Sequence, residues 1–357
     1  MRPFGICSDV HLHNWSQFAT INPDGLNSRL DHILDELATA GLSVKNNGGK
    51  TLYIAGDLFH VRGSVSPTVL NPAIDLFRKL TSEHALTIRV LTGNHDLESR
   101  DSEAMSSACE ALRTINGVIV VSEPKLFGDE KVAMIPWYDS MDRVRAEIES
   151  IVTELGGAEH EWTLMLHVPV NGVIAGLPDH GFWAAELAKY GFKRVFCGHY
   201  HNFKSFEAGK VYSVGALTHQ TWNDVNTKAG HLIVSDEGVQ WFESKAPKFI
   251  DYDSAWDVAE AADKCACNFV RVRLGSASDE EVTMIRDHVM ALDAKGCVVQ
   301  AIPVPKTAAT ARTTSVASAP TVRQSIEEWV SHNIATHKEE VSKLCEEIMN
   351  QVEAVEL

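Results

Sequence analysis

Carboxylate, imidazole and amide side chains recur in five short segments of the first 201 residues. These segments are Asp9-Val-His11, Gly56-Asp57-Leu-Phe-His60, Gly93-Asn94-His95-Asp96, His167 and Gly198-His199-Tyr-His201. Mixed oxygen and imidazole donors suit Mn, Fe or Zn ions better than Mg or Ca ions, which prefer oxygen alone. The set exceeds what one ion needs and fits two ions that share a bridging carboxylate. Two such ions, about 3.5–4 Å apart, can activate a water and clamp both oxygens of an in-line phosphoryl displacement.

Each of these segments follows a predicted strand. Apolar runs predict strands over Pro3–Cys7, Thr51–Ala55, Leu86–Leu91, Val118–Val121, Lys131–Ile135, Trp162–Leu166, Arg194–Cys197, Val211–Val214 and His231–Ser235. Ligands of open α/β sheets bind beyond the carboxyl ends of the strands, so we expect the five segments to meet at one edge of one sheet. The Gly residues before Asp57, Asn94 and His199 are expected to let the backbone turn sharply there.

Two segments whose apolar residues have helical spacing lie between the first predicted strands. It is shown by Leu26, Leu30, Ile33, Leu34 and Leu37, and again by Val69, Ala73, Ile74, Phe77 and Leu80. Alternating strands and helices predict an α/β domain over residues 1–244, with a sheet that is parallel at least in part.

Two smaller elements are predicted beyond this domain. Residues 245–304 read as a compact βαβ-type module, a small α+β cap with a strand at Phe269–Leu274, a helix at Glu280–Leu292 and a strand at Cys297–Ile302. Residues 305–324 are expected to form a flexible linker, because positions 307–324 hold five Ala, five Thr and two Ser but no acidic or aromatic residue.

Residues 325–357 are predicted to form a helical hairpin, whose first helix opens in capping-box style at Ser325-Ile-Glu-Glu328. Its apolar stripes suggest a partner-binding element, with Ile326, Trp329, Val330, Val341, Leu344 and Ile348 as the contact residues. The alternative is a tail that folds back on the parent domain.

Composition excludes several classes of protein. The 357 residues are 45% hydrophobic, which is ample for a packed core and excludes wholesale disorder. The longest apolar runs are far shorter than the roughly 20 residues of a membrane span, and the N-terminus lacks a signal-peptide pattern. Seven scattered cysteines without a Cys-x-x-Cys pair indicate neither a disulfide framework nor a zinc finger, so we expect a cytoplasmic protein. A net charge of −16 argues against a broad basic face for nucleic acid.

Taken in order, the five motifs resemble those of the calcineurin-like metallophosphoesterase superfamily. Within it the chain resembles the SbcD-type DNA nucleases, including recombination nuclease subunits of large tailed phages. Gly56-Asp57-Leu-Phe-His60 resembles their second motif, Leu166-His167-Val-Pro-Val-Asn-Gly172 resembles the fourth, and Ile135-Pro136-Trp137 is typical of the strand before it. The resemblance implies a two-sheet sandwich flanked by helices.

The resemblance also implies two divalent metal ions, with Mn favoured and Mg or Zn as alternatives. The first ion would be held by Asp9, His11, Asp57 and His201. The second would be held by Asp57, Asn94, His167 and His199. A hydroxide bound to the metals would attack the phosphodiester, His95 would assist the leaving oxygen, and Asp96 would orient His95.

Other residues near the motifs are left out of the metal set. His13, His60 and His219 are interpreted as packing residues or as support for the ligands. Trp137 and Trp222 are interpreted as core or rim aromatics, although a nuclease of this type could stack a base on one of them.

The function implied is DNA cleavage, as exonuclease and endonuclease, by the nuclease subunit of an SbcCD-like repair and recombination complex. A coiled-coil ATPase of the SbcC type would be the partner, the subunit would form a homodimer, and the partner could supply the basic DNA-binding surface. If the origin is a phage, the location is the host cytoplasm. The alternatives are a phosphatase or small-molecule phosphodiesterase of the same fold, or a scaffold without catalysis. The Asp-Arg-Gly of protein phosphatases is replaced by Asp57-Leu-Phe-His-Val-Arg-Gly63, which disfavours the first alternative.

Overall fold

The computed structural model describes residues 2–99, 107–301, 330 and 337–353. Contacts within the chain divide it into two compact units, Met1–Ile302 and Pro303–Leu357. The strands are β1 (Phe4–Cys7), β2 (Thr51–Ile54), β3 (Thr87–Leu91), β4 (Val118–Val121), β5 (Lys125–Phe127), β6 (Val132–Ile135), β7 (Thr163–His167), β8 (Arg194–Gly198), β9 (Lys204–Phe206), β10 (Val211–Ser213), β11 (Gly230–Val234), β12 (Val239–Glu243), β13 (Phe249–Asp251), β14 (Phe269–Leu274) and β15 (Gly296–Ala301). The α-helices are α1 (Ser28–Asn46), α2 (Pro67–Ser82), α3 (Met141–Leu155), α4 (Ala184–Lys189), α5 (Val258–Cys265), α6 (Asp279–Ala291) and α7 (Lys338–Glu353).

Two six-stranded sheets form the larger part of the first unit. The first sheet has the order β12-β11-β1-β2-β3-β4, and the second has the order β5-β6-β7-β8-β10-β9. Strands β1 to β4 are parallel in the first sheet, as are β6, β7, β8 and β10 in the second. The remaining strands, β5, β9, β11 and β12, pair antiparallel at the outer positions. The predicted α/β class with two sheets flanked by helices is confirmed.

The sheets pack face to face, and helices cover their outer faces. Ile6 of β1 is fully buried in the core between the sheets, whereas its neighbour Cys7 points into the core beneath the helices. This alternation follows from the two-residue period of a strand. Helices α1 and α2 bury Leu37 and Phe77 against the first sheet, and α3 buries Ile148 against the second. The two sheets and their helices therefore form four layers, α/β/β/α.

A third sheet forms the predicted cap. Strands β13, β14 and β15 are all parallel, with α5 and α6 between them, so the module has one strand and one helix more than expected. The guanidinium of Arg29 in α1 lies over the rings of Phe249 and Phe269, at 5.0 and 5.4 Å from their centroids. Phe18 stacks on Phe269 at 5.1 Å. The cap thus packs on the two-sheet body through aromatic rings around the buried guanidinium of Arg29. The boundaries of the cap, 245–304, remain a prediction.

The second unit is described for α7 and Val330. In α7 the side chains of Leu344 and Ile348 are 57% and 52% exposed, and Val341 is half-buried. Val330, which precedes α7 in the sequence, is buried. The predicted linker, 305–324, and the predicted contact residues Ile326 and Trp329 lie outside the described residues. In the described part of the chain, no helix combines the length and apolarity that crossing a membrane requires.

Candidate metal centre

All seven predicted metal ligands meet at one end of the sandwich. The ends of β1, β2 and β3 supply Asp9, His11, Asp57 and Asn94, and the ends of β7 and β8 supply His167, His199 and His201. The prediction that the ligand segments meet at one edge of one sheet is therefore wrong in one respect. The ligands come from the edges of two facing sheets, because the parallel strands of both sheets end on the same side.

The backbone at several of these residues adopts a conformation that is costly for side chains other than Gly. Asp9, His11, Asp57 and His199 have positive φ angles of 49°, 48°, 53° and 100°. Hydrogen bonds between the loops compensate, since Asp9 N donates to the carbonyl of Gly56 at 3.1 Å and His11 N to that of Asp57 at 3.0 Å. Strained residues of this kind concentrate at functional sites, where they aim side chains inward.

The glycines beside the ligands act in two different ways. Gly56 has a φ of 100°, as the predicted sharp turn requires. Gly93 and Gly198 do not have positive φ, so the left-handed conformation open to Gly is not what these two positions require. The chain turns directly after Gly93, where Asp96 N donates to the Gly93 carbonyl at 3.3 Å. Both glycines are needed for space, because a Cβ atom would lie 2.2 Å from the Asp57 Oδ1 atom at Gly93 and 2.2 Å from the Ala55 carbonyl oxygen at Gly198.

Asp57 occupies the centre of the cluster. Its Oδ2 atom is 3.4 Å from Nε2 of His167 and 3.7 Å from Nε2 of His11. Its Oδ1 atom accepts a hydrogen bond from the backbone N–H of His95 at 2.8 Å. One carboxylate thus faces ligands of both predicted metals, which is the position that a bridging ligand needs.

The ligands predicted for the second metal surround one amide oxygen. The Oδ1 atom of Asn94 is 3.1 Å from Nε2 of His167 and 3.0 Å from Nδ1 of His199. His167 Nδ1 donates to the carbonyl of Ala55 at 2.8 Å. Because a carbonyl only accepts, the proton of neutral His167 is on Nδ1, and Nε2 keeps its lone pair for a metal.

His201 is oriented by a carboxylate that sequence reasoning missed. Its Nδ1 atom donates to Asp224 at 2.7 Å, and the other oxygen of this buried carboxylate accepts from the N–H groups of Gln220 and Thr221. The Gln220 side chain in turn donates to the carbonyl of Asp9 at 2.7 Å. The sequence signal, Thr221-x-x-Asp224, indicates a helix cap and nothing about a metal.

The predicted role of Asp96 as the partner of His95 is wrong. The carboxylate of Asp96 accepts from the backbone N–H groups of Phe59 at 2.8 Å and Gly93 at 2.9 Å, so it joins the two loops. The Nδ1 atom of His95 instead donates to the carbonyl of His60 at 2.8 Å, and the two rings stack with centroids 5.3 Å apart.

The three histidines left out of the metal set have different surroundings. His219 is bonded to backbone groups of Thr227 and Phe249, so it links the cap to the body. His13 packs beside the rings of Trp15 and His60. His60 lies closer to the centre, with its Nδ1 atom 3.2 Å from Nδ1 of His11.

The two tryptophans also differ. Trp222 is a rim residue that contacts Phe249 of the cap, with centroids 4.8 Å apart. Trp137 stacks on the predicted ligand His199 at 5.2 Å.

The model of the calcineurin-like phosphoesterase family matches residues 2–203. The chain belongs to this family. Among solved structures, the chain is similar to a dimetal phosphatase from Danio rerio, at 11% identity and a TM-score of 0.40, covering 65% of this chain and 91% of that one. The protein TT1561 of Thermus thermophilus is similar at 12% identity and a TM-score of 0.43, covering 68% of this chain and 99% of that one. No curated protein matches the chain.

The donor set of this metallophosphoesterase fits divalent ions. Three groups of residues each bring ligand atoms within 4.8 Å of one another, and they are Asp9–His11–His201, Asp9–Asp57–His167 and His11–His60–His95. Two carboxylates, an amide and several imidazoles lie together with little exposure to water. Buried carboxylates are unfavourable unless cations pair with them, and divalent ions supply that charge. His60 belongs to one of these groups although the sequence analysis omitted it.

The charges of the cluster are strongly coupled. Burial alone would lower the pKa of His167, but Asp57 and Asp9 raise it to about 9. Burial alone would also lower the pKa of His201, but the hydrogen-bonded carboxylate of Asp224 raises it to about 9. Burial and the neighbouring His167 lower the pKa of His199 to about 3. A metal ion would therefore displace protons from some of its ligands.

Proposed function

We propose that this metallophosphoesterase is a two-metal phosphodiesterase that cleaves DNA as an exonuclease and an endonuclease. The observation that carries the proposal is the convergence of seven metal-type ligands with a further imidazole, His95, at the same end of the sandwich. The sequence likeness to SbcD-type nucleases at residues 56–60 and 166–172 supports DNA as the substrate.

The residues divide into two ligand sets around Asp57. Asp9, His11, Asp57 and His201 would hold one ion, and Asp57, Asn94, His167 and His199 would hold the other. When bound, the ions polarise the phosphate and lower the pKa of a water molecule at the site. The imidazole content favours Mn over Mg, with Zn as an alternative.

His95 would serve the leaving group. Its Nδ1 proton is engaged by the carbonyl of His60, and its ring lies against that of His11 with centroids 4.8 Å apart. Nε2 is therefore the nitrogen that can hold a proton for the departing oxygen. General acid catalysis of this kind typically contributes about 10²–10⁴-fold to the rate.

The cap favours a large diester over a small monoester, because a small substrate needs no second module beside the site. The cap lies close to the loop that supports the predicted ligand Asp9, since Arg29 contacts both Phe269 of the cap and the carbonyl of Gln220, whose side chain donates to Asp9. Arg62 donates to the carbonyl of Asn94 at 2.9 Å, so its guanidinium supports a ligand loop.

Cleavage of end-labelled linear duplex DNA and of circular single-stranded DNA tests this function, with Mn²⁺, Mg²⁺ or no metal. We expect Mn²⁺-dependent degradation that is lost in Asp57→Asn and retained in Asp129→Asn, which removes an exposed carboxylate from the β5–β6 turn. Hydrolysis of bis(p-nitrophenyl) phosphate should exceed that of the monoester. Preference for the monoester with intact DNA would instead establish the phosphatase alternative. A protein that carries no divalent ion and takes none up would favour the scaffold.

We further propose that the protein works as a homodimer with a coiled-coil ATPase of the SbcC type, which would compensate for the net charge of −16. The exposed Leu344 and Ile348 of α7 would bind that partner. Co-purification with the ATPase tests this, and the double change Leu344→Asp, Ile348→Asp should abolish it. Retained co-purification would refute the assignment of α7.

A further inference from the structure

One short segment, His219–Asp224, supports two of the ligands predicted for the first metal ion. The Gln220 side chain donates to the carbonyl of Asp9 at 2.7 Å, and Asp224 accepts the Nδ1 proton of His201 at 2.7 Å. The backbone N–H of Gln220 donates to Asp224 at 2.8 Å, so the two supports are bonded to each other. A displacement of this segment would therefore disturb both ligands.

The cap contacts the same segment. The backbone N–H of Phe249 in β13 donates to Nδ1 of His219 at 3.2 Å. The ring of Trp222 lies against that of Phe249, with centroids 4.8 Å apart, and the guanidinium of Arg271 in β14 lies 4.7 Å from the centroid of the Trp222 ring. Two strands of the cap thus bear on the segment that supports the ligands.

Arg29 of α1 joins the cap to this segment a second time. One of its terminal nitrogens donates to the carbonyl of Gln220 at 2.6 Å. The carbon of its guanidinium lies 5.0 Å from the ring centroid of Phe249 and 5.4 Å from that of Phe269, at which distance a cation and an aromatic ring attract each other. The planar guanidinium holds its donors in a rigid fork, so one group can bond a carbonyl and contact rings at the same time.

The burial of Arg29 calls for an explanation. The residue is 5% exposed, and charged side chains are rarely this buried unless they are paired. The hydrogen bonds of its guanidinium go to the backbone carbonyls of Gln17 and Gln220. Burial lowers the pKa of Arg29 to about 10 and the charge of Asp224 opposes that fall, so the side chain is protonated at pH 7. Burying this charge costs free energy, and a role in positioning the ligands would account for that cost.

The ligands predicted for the second ion are held by other bonds. Nδ1 of His167 donates to the carbonyl of Ala55, and its Nε2 atom lies 3.1 Å from Oδ1 of Asn94. The backbone carbonyl of Asn94 accepts from Arg62. These bonds do not involve the segment His219–Asp224, so a change transmitted through that segment acts mainly on the first ion.

We propose that Arg29 is a positioning residue for the first metal ion. Because it binds the Gln220 carbonyl and the rings of the cap together, it makes the affinity for that ion depend on the packing of the cap. Coupling between two equilibria is reciprocal, so binding of the ion also stabilises the packing of the cap. The proposal rests on the proposed ligand set of the first ion and is independent of the substrate.

Titration of Arg29→Lys with Mn²⁺, followed by electron paramagnetic resonance of the free ion, tests the positioning role. Lys keeps the positive charge and lacks the planar fork that bonds the carbonyl while it contacts the rings. We expect the dissociation constant of one ion to rise about tenfold, as is typical for residues that support a ligand, and that of the other to change by less than about twofold.

Arg89→Lys is the matched control, because Arg89 is also buried and lies over an aromatic ring, that of Phe127, but is paired with Glu130. Both dissociation constants should stay at their wild-type values in this control. Melting temperatures establish that the variants fold. Phe269→Leu, which leaves Arg29 in place and removes one of its contacts with the cap, should show the same selective loss, and it decides by the same criteria if Arg29→Lys does not fold. Unchanged affinity for both ions, or an equal loss for both, overturns the proposal.

Hydrogen exchange of the cap gives a readout that a purely structural role would not change. In the wild type, Mn²⁺ should slow the exchange of backbone amides in β13 and β14, and in Arg29→Lys this effect of the metal should be lost. No effect in the wild type, or an equal effect in the variant, overturns the proposal. A wild type that binds Mn²⁺ and leaves DNA intact refutes the proposed function alone. A wild type that binds no ion refutes the ligand set and this proposal with it.

Discussion

Changing Asp224 to Asn should weaken the binding of one of the two metal ions. One oxygen of Asp224 accepts the Nδ1 proton of His201 at 2.7 Å, and the other accepts two backbone N–H groups, of Gln220 and Thr221, each at 2.8 Å. An amide has one acceptor oxygen, which we expect to stay with the two backbone donors. Its NH₂ group then faces His201 and moves the ring proton to Nε2, the nitrogen that is otherwise left for the metal.

The size of the effect follows from the role of this carboxylate. Asp224 is the largest of the influences that raise the pKa of His201 to about 9. Loss of such a supporting partner typically lowers metal affinity about 10–100-fold, or roughly 1.4–2.7 kcal/mol. Titration with Mn²⁺, followed by electron paramagnetic resonance of the free ion, should show one dissociation constant raised by this factor and the other nearly unchanged.

The matched control is Asp129→Asn, which removes a carboxylate that is exposed in the β5–β6 turn. Melting temperatures of both variants establish that they fold. If folded Asp224→Asn binds both ions with wild-type affinity, Asp224 does not set the tautomer of His201, and the reasoning above is refuted.

Three further predictions concern the same centre. If His95 has the proposed role in proton transfer, His95→Ala should lower cleavage of DNA by about 10²–10⁴-fold and leave bound metal intact. Metal analysis beside a cleavage assay checks this prediction, and normal cleavage would contradict it. Gly93→Ala should lose metal and activity because its Cβ would lie 2.2 Å from Asp57 Oδ1, whereas Gly128→Ala, with no atom within 4 Å, should keep both. Metal uptake at pH 7 should release about two protons, because two ligand imidazoles have pKa values near 9, so affinity should rise with pH from 7 to 9. Calorimetry in buffers of different ionisation enthalpy measures this release, and its absence would exclude these imidazoles as protonated ligands.

The strands and ligand motifs could be predicted because their signals are local. A buried parallel strand is a short apolar run, and a ligand directly beyond it, such as Asp57, must lie at the sheet edge. The sequence signals of helix α3 are equally local. Val144, Ile148 and Ile151 have helical spacing, between an N-cap at Ser140 and a left-handed Gly156, yet the sequence analysis did not predict the helix.

Other features depend on contacts between distant parts of the chain. Asp224 meets His201 across 23 positions, and no spacing rule links the two residues. The function of Asp96 was misjudged because adjacency to His95 in sequence does not place their side chains together. The three-residue strands β5, β9 and β13 are partly exposed and form no apolar run, so pairing with a neighbouring strand determines them. Strand β10 is equally short but wholly buried, and its apolar run predicted it.

The division of the ligands between two sheets has a mechanical consequence. Asp57 comes from one sheet and His167 from the other, so two bound metal ions would connect the two sheets at this end of the sandwich. The sheets could not separate at that end without releasing the ions. The free energy of unfolding would then rise with the concentration of free metal. For one site the rise is about 2.7 kcal/mol when that concentration is one hundred times the dissociation constant. The same ions that serve hydrolysis would thus help to keep the two halves of the catalytic domain together.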